Sequence, residues 1–175
     1  MADLTAIFGI LLVLGIAFPG LLAAWWLLFP HAVERARLRL EKTPGRCLGL
    51  GLGLALVALI PILIFLNLPF GPAKFTGWVM AALVLVAASV GAAGLAGRMG
   101  AQLTPLASRQ ITPAGAFVRG AVVLELAAVF PVIGWLVFLP LTTLAALGAA
   151  AFAILRWMPG TAVHSVDAAL PQAQV

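Results

Sequence analysis

Glu125 is the one ionisable residue that must lie deep in lipid if this chain crosses a membrane. It sits in residues 120–156, GAVVLELAAVFPVIGWLVFLPLTTLAALGAAAFAILR, and is the only charge there before the closing arginine. A charge at the bilayer centre costs several kcal/mol unless paired, neutralised or hydrated, so such a residue is a functional hypothesis by default. The plainer chemistry is a neutral carboxyl that shares a hydrogen bond with a hydroxyl on a neighbouring helix. If the chain turns near Ile133-Gly134, Thr142 and Thr143 stand across from Glu125 and supply that hydroxyl. The sharper chemistry is a proton or cation site, but a relay normally shows several intramembrane polar groups and here there is one.

Other constellations are thin. His31 and His164 are far apart in sequence, so no metal pair is expected. Cys47 has no histidine at catalytic spacing, and as the single cysteine it makes no internal disulfide. Ser89 lies among Ala and Gly with no base nearby. Gly49, Gly51 and Gly53 follow no strand and precede no acid at the right distance, so they are not a nucleotide fingerprint. No cofactor is expected, and an intramembrane enzyme is disfavoured. The charge-rich stretch is HAVERARLRLEKTPGR, residues 31–46. Arg35, Arg37, Arg39, Lys42 and Arg46 there are candidate contacts for anionic lipid headgroups, at about 1 kcal/mol per basic residue near the surface. Arg37 and Glu41, four apart, suit an ion pair on a helix face.

These residues need a lipid setting. Of the 175 residues, 64% are hydrophobic and 9% charged. An ordinary soluble domain carries about 25% charged residues. Mean hydropathy is +1.19. So short a chain cannot hide that much apolar surface in a soluble core, so lipid must solvate most of it. The net charge of +5 falls between apolar runs, which reads as an orientation signal and not as a nucleic-acid surface. The start, with Asp3 and no nearby Lys or Arg before a long apolar run, reads as a retained helix and not a cleavable signal.

The expected fold is an all-α polytopic bundle with spans at about 4–29, 47–68, 77–95, 114–132 and 135–157, and a disordered tail at 158–175. The alternative is four spans with a re-entrant helical hairpin. Residues 120–156 as one helix would run roughly 55 Å against a hydrocarbon core of about 30 Å. The break is expected at Pro131-Val132-Ile133-Gly134, with Trp135 at the interface. Pro19 and Pro61 should bend their helices. Gly45, Gly49 and Gly53 are four apart, the spacing at which neighbouring helices approach closely. Gly91, Gly94, Gly97 and Gly100 suggest a groove down one face of the third span. Residues 97–119 read as a polar loop.

Five spans with the N-terminus outside put Arg35, Arg37, Arg39, Lys42, Arg46, Arg98, Arg109, Arg119 and Arg156 on the cytoplasmic side and leave only Lys74 outside. Trp25, Trp26 and Trp157 then mark the inner surface, and Trp78 and Trp135 the outer.

The order of features is similar to a multi-span membrane region of uncharacterised bacterial proteins, and resembles the region that follows the β-repeat segment in some polymer-forming, bactofilin-like membrane proteins. The matching elements are the basic loop ending at Pro44 and Pro131-x-x-Gly134 followed by residues 144–150, within residues 29–155. The resemblance implies that the chain is a membrane module, and the charge count puts residues 31–46 and 97–119 on the cytoplasmic side of a bacterial inner membrane. No β-repeat precedes the first span. The expected function is a non-enzymatic scaffold or accessory subunit that packs on another membrane protein or on itself. The alternative is a small transporter or channel using Glu125.

Overall fold

Proline sets the helix boundaries. Pro30, Pro44, Pro72, Pro113 and Pro140 each stand at the first or second position of a helix, where the missing N–H costs nothing. The structure, a computed structural model, describes residues 2–106 and 112–155. They form α1 (Ala2–Leu28), α2 (Pro30–Lys42), α3 (Pro44–Asn67), α4 (Gly71–Leu103), α5 (Pro113–Val129) and α6 (Leu139–Ile154). A 3₁₀ turn at Thr104–Leu106 follows α4, and a π-helical turn at Gly134–Phe138 precedes α6. The fold is all-α, as expected. The 158–175 tail and Trp157 lie outside the described residues.

Among the described residues, three stretches are long and apolar enough to cross a membrane: Pro44–Asn67, Gly71–Leu103 and Gly134–Ile154. Gly15–Leu28 with Pro30–Lys42, bent by 108°, makes a fourth if the pair is counted as one span. At 17 residues, with Arg119 and Glu125 inside it, α5 is at the short end for a spanning helix. The helix that begins at Gly71 runs on to Leu103, so the expected loop at 97–119 starts later than the sequence suggested. Both α1 and α3 run through Pro19 and Pro61 without interruption.

Between the long helices, α2 turns sharply off the end of α1 and is amphipathic. Val33, Ala36 and Leu40, three and four apart, are buried on one face. That face packs on α4 and α6. Near water, burying Val33 and Leu40 contributes about 2 kcal/mol each.

The hub is α4, which packs against every other helix. Close approach of backbones builds much of the interior, and among the described residues Leu22, Leu40, Val33, Phe117 and Leu124 add the bulk of the buried apolar side chains. The glycine row on α4 is not a groove down one face. A step of three residues falls about 60° short of a full turn, so the row winds round the helix. Accordingly Gly91 meets the Ala146 carbonyl of α6, Gly94 meets Ala36 and Arg37 of α2, and Gly100 meets the Ala116 carbonyl of α5. The four-residue row on α3 also differs from expectation. Gly45, Gly49 and Gly53 have nothing within 4 Å, and the contact to α6 is made by Gly51.

The helix breaks after Val129, where the sequence places the turn. The residue with positive φ is Val132, at 66°, and not Gly134. Ile133 N–H donates to the Pro131 carbonyl at 2.9 Å, so Val132 is the centre of a γ-turn of the strained, positive-φ kind. Gly134 is needed for a different reason: a Cβ there would sit 2.6 Å from the Ala127 carbonyl oxygen. A β-branched residue at positive φ is costly, at about 1–2 kcal/mol. Val132→Gly should therefore raise the thermal unfolding temperature in detergent, by the equivalent of about 1 kcal/mol once the extra chain entropy of glycine is subtracted. An unchanged or lowered temperature would show that the turn is unstrained.

Candidate functional site

Glu125 lies on α5 and faces α1. Its Oε1 is 3.5 Å from where a Cβ on Gly15 would stand, an ordinary van der Waals separation, so the carboxyl lies alongside Gly15. Gly15 is ten residues before Trp25, about 15 Å along α1 and half the thickness of a hydrocarbon core.

Thr142 and Thr143 are elsewhere. The Thr142 hydroxyl donates to the Phe138 carbonyl at 2.7 Å, and the Thr143 hydroxyl to the Leu139 carbonyl at 2.8 Å. Both bonds are local to their own helix, the usual way a threonine satisfies itself in an apolar helix. No hydrogen bond joins either to Glu125 among the described residues. The expected pairing fails because α5 and α6 splay: each packs on α4, and they make no substantial contact with each other. An apolar crevice of about 180 Å³ lies between them, lined by Phe18, Leu124, Ala128, Phe138, Thr142 and Thr143. Counting across the turn assumed two α-helices in contact. The π-helical turn adds a residue per turn and shifts that register.

The basic helix is only partly a free surface. Arg39 is 6% exposed, with its guanidinium carbon 4.6 Å from the centre of the Phe152 ring. This cation–π contact ties α2 to α6 and removes Arg39 from the set open to lipid headgroups. Arg35 and Arg37 are half-buried, and Lys42 and Arg46 are exposed. Arg37 pairs with Glu34 at 3.4 Å, one turn back, and not with Glu41.

Sequence reasoning missed Arg98. From α4 its Nη1 donates to the Leu40 carbonyl at 2.6 Å. That carbonyl would normally accept from the N–H four residues on, but residue 44 is proline and has none. The signal was present in Leu-Glu-Lys-Thr-Pro, which leaves one carbonyl of α2 without a donor; nothing in the sequence says which cation fills it.

A second space lies where the ends of α1, α2, α4 and α5 meet. It is a cavity of about 360 Å³. Trp26 and Phe117, stacked with centroids 5.3 Å apart, form part of its wall with Val33, and Glu34 and Arg37 give it a charged side. His31 is exposed, Cys47 is buried with a free thiol, and the Ser89 hydroxyl donates to the Val86 carbonyl at 2.8 Å. Among the described residues no three of His, Cys, Asp and Glu come together in a way that would hold a metal ion. Comparison of the chain with family models, with curated proteins and with solved structures finds no match.

Proposed function

We propose that this protein is an integral membrane scaffold or accessory subunit that acts by packing on a helix of a membrane partner through the outer face of α3. One observation carries the reading: α3 has two glycine faces and, among the described residues, only one is filled. Gly51 is spent on α6. Gly49 and Gly53 stand about 200° round the helix from it, on the opposite side, and with Gly45 they repeat every four residues with nothing within 4 Å. That spacing is how membrane helices let a neighbouring backbone come close. Leu52, Leu56 and Ile60, all exposed, border the row with apolar bulk.

The bundle is read as five-spanning, with the N-terminus outside and α2 on the cytoplasmic side. The position of the indoles supports this. Trp78 and Trp135 are each 67% exposed at the end of the bundle away from Trp25 and Trp26. A transporter centred on Glu125 has less support, because Glu125 is not in the lining of the crevice between α5 and α6, whose walls are almost wholly apolar.

Purification in mild detergent tests the proposal. The wild type should retain a stoichiometric membrane partner. The double variant Gly49→Leu, Gly53→Leu should lose it and keep the wild-type melting temperature. Retention at wild-type yield would overturn the docking face. A reproducible ion flux in liposomes, abolished by Glu125→Gln, would replace the scaffold by the transporter.

A further inference from the structure

We infer that the cavity between α1, α2, α4 and α5 binds one phospholipid with a phosphoethanolamine headgroup. The inference does not depend on a partner docking on α3. It starts from the composition of the wall. One side is apolar: Trp26, Val33 and Phe117. The other carries a cation and an anion together, Arg37 and Glu34. The cavity is at the end of the bundle where α2 lies across the helix ends, beside Trp25 and Trp26, the depth at which headgroups meet acyl chains. At about 360 Å³ it is within the range of ligand sites, toward the small end.

The charges decide what fits. Arg37 and Glu34 are 3.4 Å apart, with side chains 32% and 52% exposed. A charge-assisted pair at its optimum is about 2.7–2.9 Å. A half-exposed pair at longer range is worth well under 1 kcal/mol, so a ligand opens it at little cost. Arg37 also has its Nε buried without a partner. A simple anion would gain Arg37 and meet repulsion from Glu34. A simple cation would face the reverse. A phosphate joined by two carbons to a primary ammonium satisfies both: the phosphate takes the guanidinium, and the ammonium donates to the Glu34 carboxylate. A quaternary ammonium has no N–H to donate. The apolar wall of Trp26 and Phe117 then takes the first part of an acyl chain, which a free headgroup lacks.

Native mass spectrometry of the full chain tests this, with delipidated protein offered phosphatidylethanolamine, phosphatidylglycerol or phosphatidylcholine. One phosphatidylethanolamine should survive activation that strips the other two. Arg37→Gln should weaken its retention about tenfold or more, the loss expected for a hydrogen bond to a charged group. Glu34→Gln should reverse the preference toward phosphatidylglycerol, since it leaves the cation alone on the wall. Both positions are partly exposed, so the melting temperatures should stay at the wild-type value and a folding defect is separately visible. Soluble phosphoethanolamine should not compete. The inference is overturned if the wild type holds the three lipids equally, if it prefers phosphatidylglycerol, if neither variant changes retention, or if the soluble headgroup displaces the lipid.

Discussion

Gly148→Leu should cost about 3 kcal/mol or more and leave little folded protein in detergent, the upper end of what overpacking does. The reason is the neighbour. A Cβ at Gly148 would overlap the Cys47 carbonyl, and one at Gly51 would overlap the Leu144 carbonyl. The two glycines thus sit against each other's backbone where α3 crosses α6. A flexible side chain in that place would swing aside, but a carbonyl cannot move without moving its helix. The shift would spread, because α3 and α6 also pack on α4, and α6 holds α2 through Phe152 and Arg39. Gly51→Leu should do the same. The comparison that decides the matter is Gly49→Leu, on the same helix but with nothing within 4 Å, which should melt like the wild type. Melting temperature and the monodisperse fraction on size exclusion read all three. Equal behaviour of Gly148→Leu and Gly49→Leu would show that α3 and α6 do not meet in this register.

Arg98→Met should lower stability by about 1.5–3 kcal/mol, the range for a hydrogen bond to a charged group. The long apolar stem is kept, so packing changes little and the loss is electrostatic. Its target is the Leu40 carbonyl, left without a backbone donor by Pro44. That carbonyl belongs to the last turn of α2, where the helix dipole also favours a cation. Losing the bond should free the end of α2 from α4 before the rest of the bundle melts. Hydrogen exchange should therefore speed up over residues 36–42 and stay unchanged over α3. Arg98→Lys should recover part of the effect, since an ammonium donates without the reach of a guanidinium. Unaltered exchange in α2 would mean that its apolar face and the Arg39–Phe152 contact hold it without the Arg98 bond.

The breaks in this chain were legible because Pro and Gly act locally. Pro30, Pro44 and Pro113 start helices, and Pro131 follows one. The amphipathic α2 was legible as a basic surface segment, because polar and apolar residues alternate there at helical spacing. Rotation of the long helices was not. A helix that is apolar on every side carries no sign of which face looks inward, so the four-residue glycine row on α3 looked like the interface and Gly51 did not. That Glu125 faces Gly15 and not Thr142 or Thr143 was hidden for another reason. It depends on how far α5 and α6 splay, and that follows from Val132 at positive φ and a π-helical turn, neither of which local propensity announces. The cavity needs the α1–α2 junction, with Trp26 and Val33, to meet the α4–α5 junction, with Ala101 and Phe117, and these two parts of the chain are far apart in sequence.

From Trp78 to Arg98 is twenty residues of one uninterrupted helix, about 30 Å, which equals the depth of a typical hydrocarbon core. α1 and α3 each contain an internal proline and have a place to flex, whereas α4 has none after its first turn. It works as a fixed gauge, with an indole at one end and a guanidinium pinned to α2 at the other. A thinner bilayer must be met by tilting the whole molecule and a thicker one by thinning the lipid around it, so a mismatch in thickness falls on the lipid and the tilt and not on the shape of α4.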